Sequence, residues 1–298
     1  MKELITMWKS TRMIVLTALS AAVYAAVLIP LKPIPIIPGF TEFRPANVLP
    51  VICSLMFGPA AAWGSAIGNT IADAFGTWGL GTIFGFVGNF LYGYIPYKMW
   101  QSFGKGEPVA ESRLSTAKSL IIALIAGIVV SAIVMVISYY EPPIESPIYA
   151  IAILVIAFGS VFLVLRFLSV RYFLLILSAS AACGVFIGWG VHILGLVPFV
   201  ALGNIIVLND FLVSAVLGPL LLPLLYPVVK RMGLIYTDVM EESDISKSRV
   251  WGSALMVIAV IGGLIAGNLV TIGEVGRVSL GLGLSPFIIL ILLAATVM

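Results

Sequence analysis

The chain has 298 residues, of which 61% are hydrophobic and 10% charged, and its mean hydropathy is +1.17. So little polar surface cannot cover a soluble globule, and the small net charge of +3 argues for orientation in a membrane rather than for binding nucleic acid. The apolar runs are mostly unbroken and about twenty residues long, as membrane helices require, whereas membrane strands would alternate polar and apolar residues. The sequence therefore predicts an all-α, polytopic integral membrane protein.

The first predicted helix covers residues 13–29 and carries a line of small residues. Basic residues before it imitate a signal peptide, but the run is close to a full span and more membrane helices follow, which indicates a retained first helix. Ala18, Ala22 and Ala26 recur at i+4 spacing and share one face. Small residues let helices approach closely in lipid, so this face packs on a neighbour in the same chain or on a partner subunit.

A proline-rich segment, residues 30–39, follows the first helix. Prolines at this density disfavour a helix and predict an extended loop lying over the membrane surface. Glu42 and Arg44 come next and are close opposite charges within a long apolar region. We interpret them either as ligand-binding groups or as an ion pair at the membrane interface that has no role in binding.

Two short apolar segments, 48–57 and 60–75, are separated by Gly58-Pro59. Short, interrupted helices tend to line cavities in membrane proteins. The second segment has two lines of residues at i+4 spacing: a polar line of Ser65, Asn69, Asp73 and Thr77, and a small line of Ala60, Gly64, Gly68, Ala72 and Gly76. We expect tight packing along the small line. Asn69 and Asp73 either face a substrate or satisfy each other.

The next predicted span is 80–97, in which Asn89 shares a helical line with glycines. Residues 98–118 then form a basic loop, beginning at Lys98, that the positive-inside rule places in the cytoplasm. Two further crossings, 119–139 and 148–165, contain almost no polar residue. We interpret this pair as scaffold.

Polar residues return in 172–226, which contains His192, Asn204, Asn209 and Asp210. A carboxylate with two amides in or beside a membrane is costly unless it is paired or solvated, so it indicates a functional site. A charged cytoplasmic loop follows, and the last two spans are 251–272 and 280–297. The count is about ten transmembrane helices in one domain of a cell-membrane protein, with both termini cytoplasmic and the 273–279 connection outside.

Catalysis has few residues to use. His192 is the only histidine in the sequence, so a histidine-rich metal site is excluded, and no Walker A pattern occurs. Cys53 and Cys183 lie in apolar helices without metal-ligand neighbours, which is typical of inert packing. We expect no enzyme activity, no metal and no cofactor.

Binding is better supported. Amide and charged groups together with aromatic faces suit a small polar heterocycle in a largely apolar pocket. Trp78 and Trp189 equally fit an aromatic belt at the membrane interface. The candidate substrate-binding residues are Glu42, Arg44, Asn47, Asn69, Asp73, Trp78, Asn89, Trp189, His192, Asn204, Asn209 and Asp210.

Two stretches carry a resemblance to a known family. The runs RPANVLPV at 44–51 and FGPAAAWGSAIGN at 57–69, after a first helix with an alanine face, resemble the substrate-binding S components of energy-coupling-factor vitamin transporters. Asn209-Asp210, with Gly218-Pro219 before Tyr226-Pro227, is similar to the last helix of such proteins. The branch linked to queuosine precursors is the nearest in pattern.

The resemblance implies a six-helix module, here 13–97 and 172–231. Such a module binds a vitamin-like molecule from outside and docks through first-helix alanines, here Ala18, Ala22 and Ala26, on a membrane coupling subunit driven by two ATPases. The chain departs from this pattern by two additional helix pairs, 119–165 and 251–297.

We therefore predict a transport protein that binds a small vitamin-like or nucleobase-like heterocycle. One alternative is a stand-alone secondary transporter in which Asp73 or Asp210 carries a proton or cation. The other is an intramembrane enzyme, which would have to rely on His192.

Overall fold

Helices account for nearly all the secondary structure in the described part of the chain. The computed structural model describes residues 2–104, 107–108, 118, 121, 124–125, 155, 158–159, 162, 170–272 and 277–298. The α-helices are α1 (Glu3–Thr6), α2 (Thr11–Leu28), α3 (Val48–Phe57), α4 (Pro59–Asp73), α5 (Gly81–Ser102), α6 (Val170–Ile193), α7 (Phe199–Arg231), α8 (Tyr236–Val239), α9 (Val250–Ile272) and α10 (Arg277–Val297). The predicted all-α class is confirmed.

Four segments among the described residues are long and apolar enough to cross a membrane, judged by length and composition. They are Thr11–Leu31, Val170–Ile193, Phe199–Val239 and Val250–Leu269. These segments make the chain a multi-pass membrane protein. The crossings predicted at 119–139 and 148–165 lie almost entirely outside the described residues, so the number of ten helices stays a prediction.

The segment after α2 is not the extended loop that its prolines predicted. A 3₁₀ turn, Ile29–Leu31, continues α2, and a small antiparallel hairpin follows, with strands β1 (Pro35–Ile37) and β2 (Thr41–Glu42). Gly39 has φ +77° at the hairpin tip. Glycine adopts that left-handed conformation without a steric penalty, so the chain can reverse there. A second 3₁₀ turn, Pro45–Asn47, leads into α3.

Gly58-Pro59 separates α3 from α4 as predicted. Gly58 has φ +54° and lies against the ring of Tyr236, so that a Cβ atom there would be 2.7 Å from Tyr236 Cγ. Pro59 then occupies the first turn of α4, where its missing N–H costs no hydrogen bond. The two short helices follow from a backbone conformation that favours glycine and a residue suited to beginning a helix.

The small line of α4 packs on α2. A Cβ atom at Gly64 would lie 2.5 Å from Ser20 Cβ, and one at Gly68 would lie 2.8 Å from the Ala21 carbonyl oxygen. This close approach uses the buried face of α2. Its three alanines at i+4 spacing point the other way and are exposed: Ala18, Ala22 and Ala26.

The end at Tyr97 predicted for the span 80–97 is wrong, since α5 continues to Ser102. Lys98 is not the first residue of a soluble loop: its side chain is fully buried and lies 2.9 Å from the Glu3 carboxylate of α1. An apolar helix can accommodate that ammonium group because the opposite charge is brought to it.

The last two helices pack on the preceding ones. Gly263 of α9 lies against Val185 of α6, and Gly267 of α9 lies against Phe199 of α7. Arg277, in the connection predicted to lie outside, is the first residue of α10; Glu274 lies outside the described residues. The additional pair 251–297 is therefore joined to α6 and α7 by close packing.

Candidate functional site

A cavity of about 280 Å³ opens among the hairpin, α4, α5, α6 and α7. Its polar lining contains seven of the predicted side chains: Arg44, Asn47, Asn69, Asp73, Asn89, Asn209 and Asp210. Apolar residues cover much of the remaining wall, among them Phe40, Leu80, Ile187, Val191, Leu202 and Ile206. Trp78, also predicted, stands at the cavity with 66% of its surface exposed. A largely apolar wall with a few converging polar groups is the usual composition of a small-molecule site.

A buried cluster of charges lies where the hairpin meets α4. Lys32 Nζ is 3.0 Å from Glu42 Oε1 and 3.2 Å from Asp73 Oδ1. Arg44 Nε is 3.1 Å from the same Glu42 oxygen. Burial by itself would lower the pKa of the Arg44 guanidinium, but the nearby Glu42 and Asp73 carboxylates outweigh it and raise the pKa above its ordinary value. Arg44 is therefore a permanent cation on the cavity wall.

The polar line of α4 divides at the cavity. Asn69 accepts a hydrogen bond from Arg44 Nη1 at 2.9 Å and donates to Asp73 at 3.1 Å. Thr77 donates to Asp73 at 2.8 Å, so Asn69, Asp73 and Thr77 form one hydrogen-bond network. Ser65 instead donates to the Ala61 carbonyl of its own helix at 2.7 Å. The alternative that Asn69 and Asp73 satisfy each other is correct, and both also line the cavity.

Asp210 of α7 lines the cavity and is almost fully buried. Its side chain is 3% exposed and accepts a hydrogen bond from Asn47 Nδ2. Tyr92 holds this part of α7, since its hydroxyl donates to the Asp210 carbonyl at 3.1 Å and lies 2.7 Å from Ser214 Oγ. Asp210 thus presents a carboxylate to the cavity with an amide beside it, while α5 fixes its backbone.

Asn209 joins α7 to the hairpin region. Its Nδ2 donates to the Glu42 carbonyl at 3.0 Å, and its Oδ1 accepts from the Arg44 backbone N–H at 3.4 Å. These bonds link residues more than 160 positions apart in the chain. Asn209 and Asp210 thus line the cavity from α7.

Four predicted residues are absent from the cavity lining: Glu42, Trp189, His192 and Asn204. Glu42 lies behind Arg44 and compensates its charge. The Asn204 amide pairs reciprocally with the Asn268 amide of α9, at 2.6 and 3.1 Å, because its face of α7 meets that helix.

Trp189 and His192 are directed away from the cavity by the helical turn of α6. Trp189 packs edge-on against Phe84, and its Nε1 donates to the Gly281 carbonyl at 3.4 Å. His192 Nδ1 accepts the backbone N–H of Phe199 at 3.1 Å, which is a structural contact at the start of α7.

Sequence reasoning missed three residues of the site. Lys32 was assigned to a surface loop, yet its side chain is only 5% exposed and completes the charge cluster. The Tyr24 hydroxyl of α2 lies within hydrogen-bond distance of both Asn47 Oδ1 and Asn89 Oδ1, and the Cys183 thiol lies in the cavity wall. The prolines around Lys32 could have indicated a structured turn, but no pattern in the sequence marks Tyr24.

The arrangement suits recognition of a polar molecule. The cavity wall offers a guanidinium, two carboxylates and four amides within a largely apolar surround. No group of three or more potential metal-ligating side chains occurs in the part of the chain that the structure describes. Both free cysteines, Cys53 and Cys183, are buried.

Comparison with known protein families identifies one that matches the chain. A family model described as QueT transporter matches residues 14–169, just over half of the chain. Neither the curated proteins nor the solved structures yielded a match. The matched region includes most of α2, the hairpin and α3 to α5, and its side chains at the cavity include Arg44, Asn47, Asn69, Asp73 and Asn89. The chain therefore belongs to the QueT transporter family, of the energy-coupling-factor S-component type, and is a multi-pass membrane transport protein.

Proposed function

We propose that this protein binds a small vitamin-like or nucleobase-like heterocycle from the outer side of the membrane and delivers it inward with a coupling subunit and two ATPases. The observation that carries the proposal is the cavity, in which amides and charges of both signs converge inside an otherwise apolar bundle. Buried polar groups of this kind are costly in a membrane protein unless they serve a ligand or each other.

The chemistry of the wall favours a flat ring with polar edges. Arg44 and the amide N–H groups can donate to ring nitrogens or carbonyl oxygens, and Asp210 can accept from N–H groups. Phe40 and Trp78 supply aromatic faces at the cavity. A volume of about 280 Å³ is at the small end for ligand pockets, which favours a compact heterocycle over a nucleotide.

The charge distribution supports an outward-facing cavity. Lys9 and Arg12 lie at the start of α2, and Lys230 and Arg231 at the end of α7, whereas the cavity adjoins the opposite ends of both helices. Basic residues prefer the cytoplasmic side of a membrane. The N-terminus would then be cytoplasmic and the cavity would face outward.

The exposed alanines of α2 support docking on a coupling subunit. Ala18, Ala22 and Ala26 form a small-residue face that no described element of the chain covers, while Gly64 and Gly68 of α4 pack on the other side of α2. Such a face allows a partner helix to approach closely in lipid. The last helix pair packs on α6 and α7, so it leaves this face accessible.

Direct binding measurements test the ligand. Purified protein is screened by native mass spectrometry and calorimetry against vitamins and nucleobases, and each hit is measured again with Asn89→Ala and Asp210→Ala. We expect either substitution to weaken binding about tenfold or more, as loss of a buried hydrogen bond does. Asn204→Ala is the matched control, since that amide is buried outside the cavity. Unchanged affinity in both cavity variants would refute the site.

Reconstituted vesicles test the coupling. Uptake that requires the coupling subunit and ATP supports the proposal. Uptake by this protein alone, abolished when an ion gradient is dissipated, would instead establish a secondary transporter.

A further inference from the structure

One tyrosine hydroxyl serves two amides of the cavity wall. Tyr24 of α2 is 1% exposed, and its Oη lies 2.8 Å from Asn47 Oδ1 and 3.1 Å from Asn89 Oδ1. A tyrosine hydroxyl has a single hydrogen to donate. Two acceptor oxygens therefore share one donor.

The hydrogen bond made by Nδ2 of each asparagine fixes the orientation of its amide. Asn47 Nδ2 donates to the Asp210 carboxylate, and Asn89 Nδ2 donates to the Gly85 carbonyl at 2.9 Å. The Gly85 carbonyl oxygen can only accept, so Asn89 must present its nitrogen there, and Asn47 likewise directs its nitrogen to Asp210. Both Oδ1 atoms are consequently held towards Tyr24.

A buried acceptor normally has a donor, and the single hydrogen of this hydroxyl can be donated fully to only one of the two oxygens at a time. Asn47 is nearer to the hydroxyl and Asn89 is farther, and both line the cavity. A ligand N–H at Asn89 would supply the second donor, and the tyrosine hydrogen would then pass wholly to Asn47. With a ligand that has no N–H there, the hydroxyl still satisfies both oxygens in part.

We infer that Tyr24 is a specificity-determining residue of the cavity, whose shared hydrogen lets the site prefer ligands with an N–H donor at Asn89 while still tolerating ligands without one. The inference rests on the proposed function, since it concerns recognition of a nucleobase-like ligand. Tyr24 acts by positioning and satisfying Asn47 and Asn89, which line the cavity, whereas Tyr24 itself is not a lining residue.

The test compares pairs of ligands that differ by one amino group. Guanine against hypoxanthine and adenine against purine are measured by calorimetry with wild-type protein and with Tyr24→Phe. Without the hydroxyl, a ligand that lacks the donor leaves both oxygens unsatisfied. We expect its affinity to fall about tenfold, against about twofold for the amino-bearing partner, so that discrimination in at least one pair rises about fivefold.

A second variant and a control keep the result interpretable. Asn89→Leu removes the acceptor, so the ratio of the affinities for the two ligands of the same pair should fall towards one. Tyr94→Phe removes a fully buried hydroxyl from α5 that donates to the Ala295 carbonyl at 3.0 Å, outside the cavity, and should leave discrimination as in the wild type. Thermal unfolding of each variant verifies that it is folded.

The outcomes separate the inference from the function on which it rests. Equal losses for both members of each pair in Tyr24→Phe would mean a merely structural role and would overturn the inference alone. Discrimination that persists in Asn89→Leu would overturn it as well. If wild-type protein binds none of the four bases, the nucleobase assignment fails, and the inference fails with it.

Discussion

Lys98 Nζ lies 2.9 Å from Glu3 Oε1, and neither side chain is more than 1% exposed. The ammonium group also donates to the carbonyl and hydroxyl oxygens of Ser246, each at 3.0 Å. The contact joins α1 to the end of α5 and to the segment before α9. At the end of the bundle away from the cavity, three distant parts of the chain are therefore held by one buried ion pair.

Removing one partner of this pair should be strongly destabilising. Glu3→Ala leaves the Lys98 ammonium buried without its counter-charge, a change that costs about 3–5 kcal/mol in comparable sites. The measurement is the thermal unfolding of detergent-solubilised protein. Lys2→Ala is the control, because Lys2 is an exposed residue paired with Asp244 at 3.5 Å and its loss should have little effect. Equal stability of the two variants would show that the buried pair contributes nothing.

The same pair predicts a pH dependence. Burial would raise the pKa of Glu3, but the Ser246 hydrogen bond and the Lys98 charge together outweigh it and lower the pKa from 4.5 to about 2. Because the folded-state pKa lies below the unfolded value, the stabilisation is present above about pH 4.5 and is lost as the pH falls towards 2. The shift corresponds to roughly 3 kcal/mol.

Unfolding of wild-type protein and Glu3→Gln across this range measures that effect. The stability difference between them should be constant above about pH 5 and should shrink between about pH 4.5 and 2. A difference that stayed constant down to pH 2 would contradict the assigned pKa.

Lys32 should control both the hairpin and the cavity. Lys32→Met removes the cation between Glu42 and Asp73 and the 2.6 Å hydrogen bond to Thr77. We expect faster amide hydrogen exchange in residues 35–42, because the hairpin loses its link to α4, and affinity about tenfold weaker for any ligand of the cavity. Lys9→Met, at an exposed lysine, is the matched control. Exchange rates equal to the wild type would show that Lys32 does not hold the hairpin.

The exposed alanine face of α2 should be needed for docking but not for binding. Ala22→Trp places a large ring where a partner helix would approach closely, and we expect co-purification of a coupling subunit to fall about tenfold at unchanged ligand affinity. Ala254→Trp makes the same change on the exposed surface of α9. A similar loss with both variants would indicate a general effect of the bulky side chain in lipid.

The sequence by itself determined the class of the protein and much of the cavity. Long apolar runs require lipid, Gly58-Pro59 requires a break, and polar residues such as Asn89 and Asp210 are conspicuous in apolar helices because lipid makes them costly. Eight of the twelve predicted site residues line the cavity.

Only the tertiary structure decided which face of each helix meets which neighbour. Asn204 and Asn209 look equivalent in sequence, yet one pairs with Asn268 and the other with the hairpin. Lys98 resembles the start of a loop because its partner, Glu3, is 95 residues away. Tyr24 acquires its role because packing brings Asn47 and Asn89 to a single hydroxyl. The local sequence shows which polar groups would be costly in lipid. The groups that hydrogen-bond or pair with them lie far away in the sequence, so only the folded structure identifies them.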